Sequence, residues 1–313
     1  MLAGHEWPRD QYKFFTANGP RHSRLRGFPI GFSASHSDHL IQRKSDEKYF
    51  LFTTHDKAGI ITADNLAGPW TEVGSILPEN SSIQLPGRDD IWAPDESAIG
   101  LATSPSMDPG TWTDHGQVFS STTGDEYNAI DPNLSTDEHG APVLTFGSFW
   151  SDLFQVNLAA DLKMVISSPV QVSFNSTPPQ PEEGSFIWKH GNFHYLFFSS
   201  GLCCGFNASA LPPPGNEYKV FVGHSTSVHG PFLDATGKDL RDSGGTLVLA
   251  SHGNVYAPGG QGVFTDARSE QDVFVYHYVP VDSPEPYSDT FASLGLNGID
   301  WSTGWPVLTS LRL

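Results

Sequence analysis

A unit of roughly 40–50 residues recurs along this chain, and a repeat of that length is typical of β-propeller blades. Each unit has a strand rich in aromatic residues, then a second strand and a turn that contains Gly-Pro. The aromatic strands include 49-YFLFTT, 143-VLTFGSFW and 193-FHYLFFSS, and the turns include 68-GPW and 230-GPF. Glycine and proline fall mostly between short runs of Phe, Tyr, Val and Thr, as expected for many short strands. The sequence therefore predicts an all-β fold, a five-bladed β-propeller.

Four acidic residues occupy the same position in successive units: Asp38, Asp95, Asp131 and Glu183. The innermost strands of a propeller pack around its axis, so residues at one phase of every blade meet at one end of that axis. These carboxylates are therefore expected to converge in one pocket. Their mutual repulsion there has a cost that folding alone does not require. Singly, each acid also fits a turn-capping role.

The acids differ in their surroundings. Asp38 follows a Gly/Ser-rich approach and is a candidate general base for a water molecule. Glu183 precedes the apolar run 185-SFIW, a setting that raises the pKa of a carboxyl group toward that of a general acid. Two such acids on either side of a sugar linkage are the equipment for glycoside hydrolysis. A third carboxylate can tune the pKa of the acid and hold its orientation.

The length of 313 residues, with no low-complexity linker, predicts one catalytic domain over 1–313, in which 1–30 form an N-terminal segment. The second blade is expected to be incomplete near 95–97. Only four positions separate Asp95 from Ile99, where 22 separate Asp38 from Ile60 in the first blade. About one hairpin is lacking by comparison with the repeat. The gap is either an artefact of the gene model or a genuinely incomplete blade.

The formal net charge of −18 argues against nucleic acid as a partner, because there is no basic patch to displace counterions. The sequence has no run of about 18 apolar residues, so we expect no membrane span. We also expect a monomer. The first residues, MLAGHEWPRDQYKFF, lack the regions of a signal peptide. Four Asn-x-Ser/Thr sequons nevertheless favour an extracellular protein; they begin at Asn80, Asn133, Asn175 and Asn207.

The two cysteines, Cys203 and Cys204, are adjacent, so no disulfide framework holds the fold together. They are either buried free thiols or a vicinal disulfide. Among the aromatic residues, Trp188 is expected to pack in the core, and Trp150 either stacks on sugar or fills space between blades.

Several motifs together resemble fungal endo-1,5-α-L-arabinanases of glycoside hydrolase family 43. They are 92-WAPD, 128-NAIDPNL, 147-GSFWSD, 183-EGSFIWKHGNFHYLFFSSG, 203-CCG, 217-EYKVFVGHSTS and 244-GGTLVLASHGNVYAPGGQGVF. The resemblance covers about residues 30 to 310 and implies a five-bladed propeller that cleaves internal α-1,5 linkages of arabinan with inversion. It implies that Asp38 is the general base, Asp131 the pKa modulator and Glu183 the general acid.

Substrate contacts are expected from Trp92, Asn128 and Ser148, which lie next to acids or aromatic strands. The chemistry requires no cofactor. Many relatives hold a central ion, such as calcium, with a histidine where this chain has Gly260, so the resemblance leaves that ion open. Two other readings also stay open: an exo-acting arabinofuranosidase or β-xylosidase of the same fold, and an inactive carbohydrate-binding propeller.

Overall fold

The structure is a computed structural model that describes residues 39–54, 56–85, 88, 97–177 and 181–312, together with the backbone of 12–17. These residues form nineteen strands and two short 3-10 helices, Leu240–Asp242 and Asp289–Phe291. The first seven strands are β1 (Tyr12–Ala17), β2 (His39–Gln42), β3 (Tyr49–Phe52), β4 (Gly59–Ala63), β5 (Thr71–Ser75), β6 (Ser97–Thr103) and β7 (Thr113–Ser121).

Twelve strands follow: β8 (Asn133–Thr136), β9 (Pro142–Phe146), β10 (Leu153–Asn157), β11 (Val170–Ser173), β12 (Glu182–His190), β13 (Phe193–Ser200), β14 (Lys219–Ser225), β15 (Thr246–Leu249), β16 (Val255–Asp266), β17 (Gln271–Pro280), β18 (Ser293–Asp300) and β19 (Val307–Thr309). The predicted aromatic strands are confirmed as β3, β9 and β13. None of the helices in the described part of the chain is long and apolar enough to cross a bilayer.

The strands form antiparallel sheets that follow one another along the chain. Four sheets have four strands each, in the orders β2-β3-β4-β5, β8-β9-β10-β11, β12-β13-β14-β15 and β16-β17-β18-β19. A further sheet has three described strands in the order β1-β6-β7. Neighbouring strands in the four-stranded sheets are also neighbours in sequence, as in a propeller blade.

Apolar side chains fill the space between successive sheets. One cluster joins Phe50 of β3 to Ala98 of β6, and another joins Leu101 of β6 to Leu144 of β9. Further clusters join β9 to β13 and β13 to β17. A last cluster joins Val275 of β17 to Leu51 of β3, which brings the end of the chain back to its first sheet. Burial of these apolar faces holds the sheets in a closed ring, so the fold is an all-β propeller.

The N-terminal segment, which the sequence analysis set apart from the blades, contributes a strand. The backbone of β1 pairs with β6 from Tyr12 opposite Thr103 to Ala17 opposite Ala98. This register matches that of the first sheet, where Tyr49 lies opposite Ala63 of β4. The strand at the N-terminus therefore takes the place of the aromatic strand that the sequence lacks after Asp95.

Three local features bear on expectations from the sequence. The cysteines Cys203 and Cys204 are joined to each other by a disulfide. The sequon at Asn133 is not accessible, because the side chain is 6% exposed and its Oδ1 accepts a hydrogen bond from the Ile187 N–H. Trp188 packs against the cluster between β13 and β17, as predicted.

Candidate active site

Glu183 lies at the start of β12, directly before an irregularity in the strand. It pairs with Ser199 of β13, and the register shifts between Glu183 and Phe186. The intervening Gly184 has φ 61°, a left-handed conformation that glycine adopts without a steric penalty. Bulges of this kind redirect side chains and are frequent beside active sites. The bulge sets the Glu183 carboxyl in the interior, where the residue is 9% exposed.

The Glu183 carboxyl has two hydroxyl partners. The Ser148 Oγ donates to Glu183 Oε2 at 2.5 Å, and the Tyr218 hydroxyl lies within hydrogen-bonding reach of the same carboxyl. Burial raises the pKa of Glu183, and the negative charge of nearby Asp152 acts in the same direction. The two hydroxyl donors act against that rise because they stabilise the ionised form. The group is therefore a carboxyl that retains its proton above its ordinary pKa.

Asp131 lies directly beside this acid. Its Oδ2 accepts a hydrogen bond from the Gly184 N–H at 3.2 Å, so it bonds to the residue that follows Glu183. The backbone at Asp131 is left-handed, with φ 54°, although the next residue is Pro132, which favours an extended conformation before it. Such conformations persist where the surrounding structure enforces them, and they concentrate at functional sites.

Asn128 and Ser148, both predicted substrate contacts, also belong to this group. The Asn128 Nδ2 donates to the Ser148 carbonyl oxygen at 3.3 Å. The Asn128 Oδ1 is buried and has no hydrogen bond within the described residues. Four of the predicted side chains therefore lie together: Asn128, Asp131, Ser148 and Glu183. The other two, Asp38 and Trp92, lie outside the described residues, as does Asp95.

Sequence reasoning missed Tyr218 as a partner of the acid. Its ring lies against Gly259, where an added Cβ would come within 2.0 Å of the tyrosine ring. Only glycine at 259 leaves room for this ring, so the irregular segment 258-PGGQG within β16 determines where the hydroxyl lies. The motif 217-EYKVFVG contains Tyr218, but nothing in the motif itself shows that its side chain meets Glu183.

A polar chain continues behind Tyr218. The Tyr218 hydroxyl also bonds to Ser199, and the Ser199 Oγ donates to Gln261 Oε1 at 2.7 Å. Gln261 in turn donates from Nε2 to the Gly184 carbonyl oxygen at 2.6 Å. Burial raises the pKa of Tyr218 well above its usual value, so it is a neutral hydroxyl at working pH. This chain fixes the Tyr218 side chain against both β12 and β16.

Two further buried carboxyls lie behind the acid. Asp152 accepts hydrogen bonds from the backbone N–H groups of Asn175 at 2.8 Å and Glu182 at 3.0 Å. Burial raises the pKa of Asp152 to about 6, although these two bonds act against the rise. Burial also raises the pKa of Glu182, whose Oε2 accepts from Ser173 Oγ at 2.5 Å. The negative charge of Asp152 raises the pKa of Glu183 and so assists its protonation.

The loop after Ser148 presents two aromatic side chains to solvent. Phe149 is 43% exposed and Trp150 is 40% exposed, which is unusual for such large apolar groups. The Phe149 N–H donates to the Glu182 carbonyl oxygen, so this loop is tied to the strand that carries the acid. Exposed aromatic rings beside a carboxyl cluster are suited to contact the apolar faces of sugar rings.

The described residues do not contain three or more His, Cys, Asp or Glu side chains grouped to hold a metal ion. Gly260, at the position where many relatives have a histidine, donates its N–H to Ser199 Oγ at 3.0 Å. His277 is buried and stacks with Tyr218 at a centroid distance of 6.0 Å. No catalytic step is assigned to an ion.

The family model for glycosyl hydrolases family 43 matches residues 31–306. The chain belongs to this family. Asp131 and Glu183 both lie within the part of the chain that matches the family.

Several fungal members of family 43 are close in sequence. The chain is 45% identical over 303 residues to the probable arabinan endo-1,5-α-L-arabinosidase A of Aspergillus fumigatus, covering 90% of this chain and 93% of that protein. It is 45% identical over 294 residues to the arabinan endo-1,5-α-L-arabinosidase A of Aspergillus aculeatus, covering 87% and 90%.

Solved structures of family 43 share the fold. An exo-1,5-α-L-arabinanase from a bovine ruminal metagenomic library superimposes with a TM-score of 0.77 at 28% identity, covering 91% of this chain and 99% of that one. An arabinanase from Bacillus subtilis superimposes with a TM-score of 0.71 at 27% identity, covering 87% and 96%.

Proposed function

We propose that this chain hydrolyses internal α-1,5-L-arabinofuranosidic linkages of arabinan with inversion of configuration. The observation that carries the proposal is the buried Glu183, protonated by its surroundings and adjacent to Asp131, in a family 43 propeller. The fungal relatives described as endo-1,5-α-L-arabinosidases support the choice of substrate and of endo action.

In the proposed reaction, Glu183 protonates the oxygen that leaves and Asp38 activates a water molecule on the opposite face of the sugar. Inverting enzymes separate these two carboxyls by about 6.5–9.5 Å to leave room for that water. Asp131 orients the strand bulge through the Gly184 N–H and keeps the acid protonated by like-charge repulsion. Trp92, Asn128 and Ser148 are proposed to contact the substrate, and the exposed rings of Phe149 and Trp150 extend that surface.

Tyr218 has one proton and two acceptors within reach, which gives it a defined part in this step. The Gln261 Oε1 takes the Ser199 proton, so Ser199 offers only an acceptor lone pair to Tyr218. While Glu183 is protonated, Tyr218 donates to Ser199. Once Glu183 has given up its proton, the hydroxyl turns to the new carboxylate and stabilises it without a rearrangement of the backbone.

The test is the anomeric configuration and the length of the first products. Proton NMR of a linear α-1,5-arabino-oligosaccharide digest should show the β-anomer of arabinose reducing ends before mutarotation. Chromatography of linear arabinan should show short oligosaccharides early, with little arabinose. An initial α-anomer would refute the single-displacement mechanism, and Glu183→Gln serves as the inactive control.

An exo-acting arabinanase of the same fold is the second candidate. The structural similarity to an exo-1,5-α-L-arabinanase favours it, because the same carboxyls serve either mode and the loops at the cleft ends decide. The viscosity of arabinan separates the two. Endo cleavage lowers viscosity steeply at few bonds broken, whereas exo cleavage releases sugar while viscosity stays nearly constant.

The remaining assignments follow from the same proposal. We infer that the ring has five blades, with the three-stranded sheet of β1, β6 and β7 as one of them, because each apolar cluster bridges two consecutive sheets. We also propose a monomeric extracellular enzyme without nucleic-acid or membrane partners. A central calcium would be structural, and atomic emission of the purified protein would detect it.

A further inference from the structure

A second pocket lies at the end of the propeller opposite to the acids. Glu183 and His190 are seven residues apart on β12, and at about 3.3 Å per residue this places them about 23 Å apart. The Trp301 ring stacks on His190 with a centroid distance of 4.4 Å and an interplanar angle of 14°. An open pocket of about 480 Å³ lies beside Trp301 and is lined by Gln271, Asp300, Trp301, Thr309, Ser310 and Arg312.

Gln271 is the most informative group in this pocket. It is only 8% exposed, and its Oε1 accepts a hydrogen bond from the Arg312 N–H at 3.1 Å. It lies across Gly298, where an added Cβ would be 2.0 Å from Nε2, so the side chain has little freedom. The Nε2 makes no hydrogen bond to any residue in the described part of the chain, and Gln271 lines the pocket. It is a fixed donor without a protein acceptor.

The other polar groups of the pocket are complementary to Gln271. Both carboxylate oxygens of Asp300 accept from Ser302, from its N–H at 2.9 Å and its Oγ at 3.0 Å, which lowers the pKa of Asp300 and keeps it ionised. The Arg312 side chain forms no ion pair or hydrogen bond within the described residues. The Trp301 Nε1 donates to Asp272 at 2.9 Å and so fixes the indole that forms one wall. The pocket thus offers one prepositioned donor from Gln271, the exposed guanidinium of Arg312, an acceptor and an aromatic side chain.

This combination fits a neutral polyhydroxylated ligand. Hydroxyl groups of a sugar both donate to Asp300 and accept from Gln271 and Arg312, while the aromatic wall covers C–H groups. An anionic ligand would meet Asp300 and a chain of net charge −18, so a neutral sugar is favoured over a phosphate or a uronic acid. The volume accommodates one or two furanose rings rather than a folded partner.

We propose that this pocket is a second carbohydrate-binding site, which holds a short segment of neutral arabinan while another segment lies in the catalytic cleft. The proposal rests on the proposed arabinan specificity. Its consequence is avidity for the polymer, because binding at one site raises the effective concentration of the chain at the other. A short oligosaccharide cannot span both sites and would gain nothing in turnover.

Calorimetry with an inactive enzyme tests the site directly. In a Glu183→Gln background, a short linear α-1,5-arabino-oligosaccharide should bind with a stoichiometry of two, and the added change Arg312→Ala should reduce it to one. Gln271→Glu keeps the acceptor for the Arg312 N–H but removes the free donor, so it should weaken the same binding event. Lys163→Ala, an exposed cation elsewhere, is the matched control and should leave both sites intact.

Kinetics separate this proposal from the proposed function. With an active catalytic site, Arg312→Ala should raise KM for long arabinan about tenfold and leave kcat on a short oligosaccharide unchanged. A parent stoichiometry of one, or equal KM values for Arg312→Ala and Lys163→Ala on arabinan, would overturn the second site alone, provided that the parent cleaves arabinan. A parent that neither cleaves nor binds arabinan would overturn both proposals.

Discussion

Replacing Ser148 with alanine should raise the pKa at which the catalytic acid loses its proton. The Ser148 Oγ donates a 2.5 Å hydrogen bond to Glu183, and this bond favours the ionised carboxylate. Hydrogen bonds to charged groups contribute about 1.5–3 kcal/mol, and one pKa unit corresponds to about 1.4 kcal/mol. The loss of this donor should therefore move the pKa of Glu183 upward by about 1–2 units.

The pH profile of kcat/KM on arabinan measures this shift. The basic limb of the profile reports the group that must stay protonated in the free enzyme, so Ser148→Ala should move that limb to higher pH. The chain contains a matched control in Ser173, whose Oγ donates at the same 2.5 Å distance to the buried Glu182. Because Glu182 is not the proposed acid, Ser173→Ala should leave the basic limb where it is.

Three results would refute this reasoning. The basic limb could stay in place in Ser148→Ala, it could move downward, or it could move equally in Ser173→Ala. A rise in KM with an unmoved limb would instead show that Ser148 acts mainly as a substrate contact, the role predicted from the sequence. Circular dichroism of both variants establishes that each is folded before the kinetics are interpreted.

Three further predictions follow from the acids, the buried carboxyls and the N-terminal strand. Glu183→Gln and Asp38→Asn should each lower kcat on arabinan at least about a hundredfold, and Asp131→Asn should move the basic limb downward; near-normal turnover in Glu183→Gln would contradict the assignment. The pKa of Glu182 is raised in the folded chain, so the folded chain keeps a proton that the unfolded chain releases above pH ~4.3. The free energy of unfolding therefore falls as the pH rises from there toward the folded pKa of Glu182. Glu182→Gln removes this loss and should therefore raise Tm near neutral pH, by about 2 °C for each pH unit by which the folded pKa exceeds the unfolded one. At pH 4 the same substitution should change Tm little in calorimetric scans. Deleting residues 1–18 should lower Tm by about 5 °C, because six paired residues at roughly 0.5 kcal/mol each stabilise the sheet by about 3 kcal/mol. Deleting residues 1–11 leaves this pairing intact and should not lower Tm.

The parts of the site that follow local sequence were predictable. Glu183 stands before an apolar aromatic strand, and that setting alone indicated a buried acid with a raised pKa, as the structure has it. Tyr218 was not predictable, because its contact with Glu183 depends on how β14 and β12 lie on either side of β13. Gly259 adds a third strand to the same contact. Neither strand register nor a close approach over glycine can be deduced from spacing along the chain.

The second blade shows why a repeat can mislead. Counting from Asp95 along the chain finds no aromatic strand before β6, and the comparison with other units is correct as far as sequence order goes. Sheet pairing, however, depends on backbone hydrogen-bonding groups and register rather than on sequence order, so any strand of the right length can pair with an open sheet edge.

The segment 12-YKFFTA has the same pattern as 49-YFLFTT and the same register on its partner. A search for aromatic strands anywhere in the chain, rather than only between the expected neighbours, would have found it. Without β1, the edge of β6 would present unpaired N–H and C=O groups. Pairing with β1 satisfies these groups, and no hairpin has to be inserted between Asp95 and β6.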